Sequence, residues 1–300
     1  MLLKDARTYQ ILFLSLFLLI GIGTRDWTLK PGMILVAIVT CLTLQGVMST
    51  IVSLTTHSKI NTEFTLLSKP VLINPLSVFQ SVASGLITAL GLSLLLRADH
   101  YSTIVLASVA AILSKFLLRV GEKHVFNPAN FGIVTVLLLT SDAWVSPGQW
   151  GEESWYAVLF LGTGGLVLRR VGRWDTTIAF LATYVGLEAA RNAWLGWTWD
   201  VWSHRLMSGS LLMFALFMVT DPRTIPNARI GRVIWAVTIA VLTFILRNQF
   251  FVSTAVFWSL FALAPLSIAL DAIFPDSRFS WQKEPSPLTQ AAPTIHTSLT

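Results

Sequence analysis

About ten apolar runs of helix length, separated by short polar segments, recur along the 300 residues of this chain. They are Tyr9 to Gly23, Gly32 to Leu54, Leu76 to Leu96, Tyr101 to Leu118, Phe131 to Trp144, Trp155 to Leu168, Thr176 to Ala190, Leu206 to Val219, Val233 to Leu246 and Phe251 to Leu270. Each is roughly 14 to 23 residues, close to the length that a bilayer core demands. Hydrocarbon offers no hydrogen-bond partners, so the backbone of such a run must satisfy itself as helix. A composition of 54% hydrophobic and 12% charged residues leaves too little polar surface for a soluble fold. The expected fold class is an all-α polytopic protein embedded in a lipid bilayer, with about ten transmembrane helices. Several runs are short, which suggests tilted, broken or re-entrant helices. Residues 1–274 read as one membrane domain, and the Ser-, Thr- and Pro-rich residues 275–300 as a disordered cytoplasmic tail.

The net charge of +6 does not point to a nucleic acid, because its distribution follows the runs. With ten spans, one side holds Lys4, Arg7, Lys59, Lys69, Lys115, Arg119, Lys123, Arg169, Arg170, Arg173, Arg223, Arg229, Arg232, Arg278 and Lys283. The other side keeps Arg25, Lys30, Arg97, Arg191, Arg205 and Arg247. The positive-inside bias then puts both termini in the cytoplasm. The first run follows Lys4 and Arg7 as a signal peptide would, but Gly21-Ile-Gly-Thr is a poor cleavage site, so it reads as a retained span. Cys41 is the single cysteine, which excludes an intrachain disulfide, and no metal-ligand spacing is present. No nucleophile–base pair or phosphate loop supports hydrolase or nucleotide chemistry, and no residue is singled out as catalytic.

The two halves echo each other. Ser84-Gly85-Leu86 in the third run matches Ser208-Gly209-Ser210 around the start of the eighth, and Phe116-Leu-Leu-Arg119 matches Phe244-Ile-Leu-Arg247, at offsets of 124 and 128. Five is an odd number of spans, so a repeat with halves near 1–144 and 145–274 must be inverted in the membrane. Chance recurrence in a leucine-rich chain is the competing explanation.

Two stretches interrupt the apolar pattern. The eighth run ends in Thr220-Asp221-Pro222, where proline frees the last carbonyls beside a carboxylate. Either the helix leaves the bilayer there, or the break lines a wet cavity. Before the fifth run, Asn127-Pro128-Ala129-Asn130 either caps the helix or offers amides to a polar ring edge or a cation. His124 beside it is the one histidine to watch. Glu188 and Asp99 sit at run ends and read as solvated, as do Glu152 and Glu153 in a loop.

Taken in order, Lys115, Phe126-Asn-Pro-Ala129, Gly151-Glu-Glu-Ser154, Ser208-Gly209, FMVTDPRTIP from Phe217 to Pro226, Gly231-Arg232, Arg247 and Ala264-Pro265-Leu266 near Asp271 form a set. Between roughly Asn74 and Asp271 the chain resembles two related membrane proteins, RnfD of the Rnf ferredoxin-linked electron-transport complex and NqrB of the sodium-pumping NADH:quinone oxidoreductase. The resemblance implies a fold like that of urea transporters, two inverted five-helix repeats, in a bacterial inner membrane among other electron-transport subunits. It implies flavin- or quinone-mediated electron transfer coupled to Na+ or H+ movement, with this chain at most an electron relay.

Family members carry a threonine that holds FMN through a phosphoester on the outer side. The corresponding interval here, LLTSDAWVSPGQWGEES from Leu138 to Ser154, supplies no such threonine, and Ser146 lies next to a proline. The loop therefore speaks against covalent FMN and for a non-covalent flavin, FMN or riboflavin, or a quinone. The expected cavity lies between the third, fifth, eighth and tenth spans, lined by Ser84, Gly85, Asn127, Asn130, Ser208, Gly209, Thr220 and Asp221. Asp221 and Asp271 are the ion-coupling candidates, with Arg223 or Arg247 as basic partners. Two other functions fit the same scaffold: a channel or transporter for a small polar solute, and a membrane anchor for a larger complex.

Overall fold

The computed structural model describes residues 6–24, 30–63, 75–146 and 154–279. Residues 147–153, Glu152 and Glu153 among them, and residues 280–300 lie outside the described residues. Helices stand on every apolar run. In order they are α1 (Ala6–Thr24), α2 (Pro31–Glu63), α3 (Pro75–Leu95), α4 (Tyr101–Leu117), α5 (Pro128–Leu139), α6 (Ser154–Val171) and α7 (Trp174–Trp194). There follow α8 (Trp199–Leu206), α9 (Gly209–Met213), α10 (Arg229–Asn248), α11 (Ala255–Leu263) and α12 (Leu266–Ile273).

Three described helices contain stretches long and apolar enough to cross a bilayer alone: Ala6–Gly23, Pro31–Thr55 and Arg229–Asn248. The eighth and tenth runs are broken. α9 continues into a π-helical turn, Phe214–Met218, and α11 meets α12 at a bend of 47°. The π turn has a local cause. The Val219 amide donates to Phe214 O, five residues back, so Ala215 O loses its usual partner, and the Thr177 hydroxyl from α7 takes that carbonyl at 2.8 Å. The product is an all-α membrane protein whose large apolar side chains face outward, Leu12, Leu19, Leu35 and Val158 among them, as lipid contact requires.

Two small antiparallel ladders close the helix ends. β1 (Leu96–Ala98), after α3, pairs with β4 (Ala143–Val145), beyond α5, and β2 (Arg119–Val120) pairs with β3 (Lys123–His124) between α4 and α5. Beside the first ladder, Asp142 accepts from the His100 amide and the Thr103 hydroxyl. Burial raises the Asp142 pKa, but the bonds from His100 and Thr103 outweigh it and hold the carboxyl well below the usual range.

α2 packs on α3 and α4, α4 on α5, and α1 on α3; in the second half α7 packs on α10 and α10 on α11. α5 against α11 and α1 against α6 join the halves. The α4–α5 crossing is close because Gly132 lies against it: a Cβ there would come within 2.4 Å of Ala107 O and 2.9 Å of Ala111 Cβ. Aromatic rings fill the middle, with Phe17 on Phe160 and Phe217, and Phe214 on Phe180 and Phe257.

Candidate functional site

At the end of the bundle where α1 begins and α4 ends, a cavity of about 330 Å³ opens between the halves. Its walls come from the start of α1, the middle of α2 and of α3, the end of α4, the start of α5, the end of α6 and the π turn with the loop after it. Each wall is polar for a local reason. Pro128 occupies the first turn of α5, where its missing N–H costs nothing, and Asn127 caps that helix by accepting from the Asn130 amide at 3.1 Å. The same Asn127 turns its Nδ2 to Met218 O and to Asp221 Oδ2, both at 3.4 Å. Cap and cavity lining are thus one residue's work, and the two sequence readings of Asn127 coexist. Asp221 lines the cavity, and its Oδ1 accepts from the Arg223 amide at 3.1 Å.

Of the residues singled out from sequence, Ser84, Asn127, Thr220 and Asp221 come together in this cavity. The structure places the others elsewhere. Gly85 faces α2, where a Cβ would meet Gln45 Cβ at 3.2 Å. Asn130 donates to Phe257 O and ties α5 to α11. Ser208 bonds Ser210 ahead of α9, and Gly209 opens that helix. The tenth apolar run supplies no wall among the described residues, because Phe261 of α11 packs on Phe131 of α5 and on Phe126 just before it.

Asp271 lies at a second cavity of about 300 Å³ on the same end. It pairs with Lys123 and accepts from the Asn227 amide at 2.7 Å and from Asn227 Nδ2 at 2.9 Å. Burial lowers the Lys123 pKa, opposed by this carboxylate. Arg223 lines both cavities. Arg247 is no partner for either acid: it donates to the Tyr184 hydroxyl at 3.0 Å. Glu188 also departs from expectation. It is 2% exposed, six residues inside the end of α7, accepting from Asn248 Nδ2 at 2.8 Å with Arg205 at 3.6 Å. Hydropathy sees a helix end, but a carboxylate facing α10 is buried whatever its distance from that end.

Sequence reasoning gave Lys115 no role in the site. It is 4% exposed, inside α4, and its Nζ donates to Ser84 O at 2.9 Å, Ser84 Oγ at 3.1 Å and Gln45 Oε1 at 3.3 Å. The signal that could have found it is a lone lysine in the apolar stretch Ile112 to Leu118, since a charge at membrane depth marks a site by default. A second missed element is the buried pair of Asp175, at the start of α7, and Arg232, in the first turn of α10. Arg232 Nε lies 3.1 and 3.0 Å from the two carboxylate oxygens and Nη2 2.6 Å from Oδ2. Arg232 Nη1 also donates to Asn227 O, which fixes the loop beneath both cavities. His124 lines the first cavity, and its pKa is pushed down to about 3 by burial first and then by Arg223 and Lys115.

Residues 138–279 match the model of the NQR2, RnfD, RnfE family. Three curated relatives are each named as the D subunit of an ion-translocating oxidoreductase complex. The one from Stutzerimonas stutzeri is 36% identical over 34% of this chain and 29% of its own length. That from Halorhodospira halophila is 29% identical over 59% of this chain and 47% of its own. The third, from Alcanivorax borkumensis, is 27% identical over 55% of this chain and 66% of its own. Over residues 138–279 the chain resembles the NQR2, RnfD, RnfE family.

The chain matches between about a third and two thirds of the length of these RnfD relatives. Within the family match lie the Met213–Arg223 wall of the cavity, the Asp175–Arg232 pair and Asp271. Ser84, Lys115 and Asn127 lie before it.

Among the described residues no group of three His, Cys, Asp or Glu could hold a metal ion. A flavin or quinone is the group that the resemblance to RnfD brings into question. The donor set fits one: amides from Gln10, Gln45, Gln80 and Asn127, hydroxyls from Ser49, Ser81 and Ser84, and a buried His124 Nδ1 with no bond to a protein group. The volume is at the lower end of ordinary small-molecule sites, roughly 300–1,000 Å³.

Proposed function

We propose that this chain is a membrane component of an ion-translocating electron-transfer complex and that its cavity holds a non-covalent flavin or quinone. The observation that carries the reading is the convergence of Ser84, Lys115, Asn127, Thr220 and Asp221 from both halves on one cavity, in a chain whose relatives are named as subunits of such a complex. Asn127 and the glutamine amides would orient ring carbonyls and ring nitrogens. Lys115, fixed by Ser84 and Gln45, would place a positive charge in the wall. The aliphatic sides of Ile87, Leu216 and Phe217 would exclude water. A bound flavin or quinone would supply the one- or two-electron chemistry. Covalent attachment at Ser146 is not part of this reading: its amide donates to Leu95 O at 2.8 Å, continuing the ladder beside a sequence without the family's threonine.

The reading includes ten helical passes in two inverted repeats. Helix pairing supports it: α2–α4 and α4–α5 in the first half correspond to α7–α10 and α10–α11 in the second, and the equivalent helices α5 and α11 touch. The matching motifs also lie at opposite ends. Arg119 closes α4 at the cavity, whereas Arg247 closes α10 beside Tyr184, far from Arg232 and Asn227 at its cavity end. The basic residues at the cavity end then mark it as cytoplasmic, with both termini on that side of a bacterial inner membrane. Asp221 is the ion-coupling candidate that the geometry favours, since Asp271 is already engaged by Lys123 and Asn227. The solute-channel and anchor readings find no support in the relatives' names.

The test is the absorption and fluorescence spectrum of detergent-purified protein, repeated on the supernatant after acid precipitation. A flavin spectrum released to the supernatant is the expected result. Colour kept in the pellet refutes the non-covalent assignment, and protein with neither flavin nor extractable quinone refutes the cofactor site.

A further inference from the structure

Asp175 faces three guanidinium groups, those of Arg173, Arg229 and Arg232. Arg232 takes both of its oxygens, and Arg173 donates to Asn227 O at 3.3 Å with Asp271 and Asp276 also near it. Arg229 is left over. Its Nε stops 3.8 Å from Asp175 Oδ2, its side chain is 70% exposed, and its terminal nitrogens bond no group among the described residues. Its position is costly as well as exposed. Ala228 opens α10 without a side-chain cap, so Arg229 and Arg232 stand in a first helical turn, where the dipole repels positive charge. Topology signals ask only for basic residues on one side of the membrane, a demand that Arg169 and Arg170 meet at the end of α6, where the dipole favours them. They do not ask for a guanidinium at a helix start.

The surface next to Arg229 is apolar. The guanidinium carbon lies 5.6 Å from the centre of the Trp174 ring. α7 and α10 begin side by side, as the Asp175–Arg232 pair requires, and pack on each other. From that end their outward residues are Trp174 and Ile178 on α7 and Ile230, Val233 and Ile234 on α10, all exposed. A free anion or an acidic peptide would use the charge and leave the apolar strip; a lipid without net charge would use the strip and leave the charge. We propose that this corner binds an anionic phospholipid, with its phosphate at Arg229 beside the Trp174 indole and its acyl chains along Ile178, Ile230 and Ile234. Both parts of the surface then have a partner, since basic residues at a membrane surface attract anionic headgroups and tryptophan settles at headgroup level. A guanidinium suits the phosphate because it can offer paired N–H donors to two of its oxygens. The site is independent of what fills either cavity.

The experiment uses the full chain in an uncharged detergent at low ionic strength, with phosphatidylglycerol or phosphatidylcholine of identical acyl chains added. Bound lipid is read by native mass spectrometry and the melting temperature by tryptophan fluorescence. Phosphatidylglycerol is expected to bind about tenfold more tightly than phosphatidylcholine, the size of effect that a charge-assisted hydrogen bond supplies. Arg229→Gln, a change at an exposed position that does not threaten folding, should bring the ratio close to one. Arg229→Lys should keep part of the preference, and Arg169→Gln should leave it unchanged. Glycerol 3-phosphate, the headgroup phosphate without acyl chains, should not raise the melting temperature. Equal binding of the two lipids by the parent, or a preference that survives Arg229→Gln, overturns the site. An equal loss in Arg169→Gln marks diffuse surface charge and overturns it as well. A melting-temperature rise with glycerol 3-phosphate as large as that with phosphatidylglycerol overturns the lipid as occupant.

Discussion

Replacing Asp175 by asparagine should be among the most damaging conservative changes in this chain. Asp175 and Arg232 are 7% and 6% exposed, and the guanidinium meets both carboxylate oxygens. Asp175→Asn keeps the shape but leaves Arg232 charged, buried and without its counter-charge, while Arg173 and Arg229 remain close by. Breaking one side of a buried pair costs about 3–5 kcal/mol. Arg232→Gln should cost less, because Arg229 Nε is already 3.8 Å from Asp175 Oδ2 and its exposed side chain can swing in. The double variant should be milder than the sum of the two, since neither charge is then stranded. The assay is equilibrium unfolding in micelles followed by tryptophan fluorescence for parent, both single variants and the double. If Asp175→Asn lies within about 1 kcal/mol of the parent, or the double variant equals the sum of the singles, the pair does not work as argued. The effect should also reach the cavities, because Arg232 holds Asn227, and Asn227 holds Asp271.

Gly132→Ala should destabilise by about 1–3 kcal/mol, since its Cβ would meet the Ala107 backbone, which cannot turn aside. Gly162→Ala, with nothing within 4 Å, is the control and should be neutral or stabilising by up to about 1 kcal/mol in the same assay. His124 has a folded pKa of about 3 against an ordinary value of 6.5, so between these values the unfolded chain takes up a proton that the folded one refuses. Its contribution makes stability fall as pH drops from about 6.5, by up to about 1.4 kcal/mol per pH unit, and His124→Gln should flatten that slope; unchanged slopes would refute it. Asp142 has the opposite sign: its depressed folded pKa gives stability above the ordinary carboxylate range, lost as pH falls below it. Asp142→Asn should therefore lower stability at pH 7 and converge with the parent in acid. Asp221→Asn should alter flavin content, redox activity or ion movement, and a variant unchanged in all three would remove the role given to that acid.

The helices were legible because lipid imposes a simple rule: helix-length apolar runs must be helical, and every such run here is. The break at Asp221-Pro222 and the cap at Asn127 were legible too, because proline and the Asn-Pro order act through local backbone chemistry. The π turn was not, since it depends on Thr177 from another helix taking Ala215 O.

The sequence by itself determined membrane residence, the helix positions, the family resemblance and, among the cavity's polar residues, Ser84, Asn127, Thr220 and Asp221, all of which follow from composition, local pattern or motif order. Tertiary structure alone decided which of the residues face one another. Ser84 and Asp221 share a cavity, whereas Gly85 and Asn130 turn to α2 and α11; Lys115 and Glu188 are buried with partners, and Arg232 meets Asp175 across α7 and α10. The reason is physical. Hydropathy weighs a side chain against lipid, while burial of a charge is set by the partner that another helix brings to it.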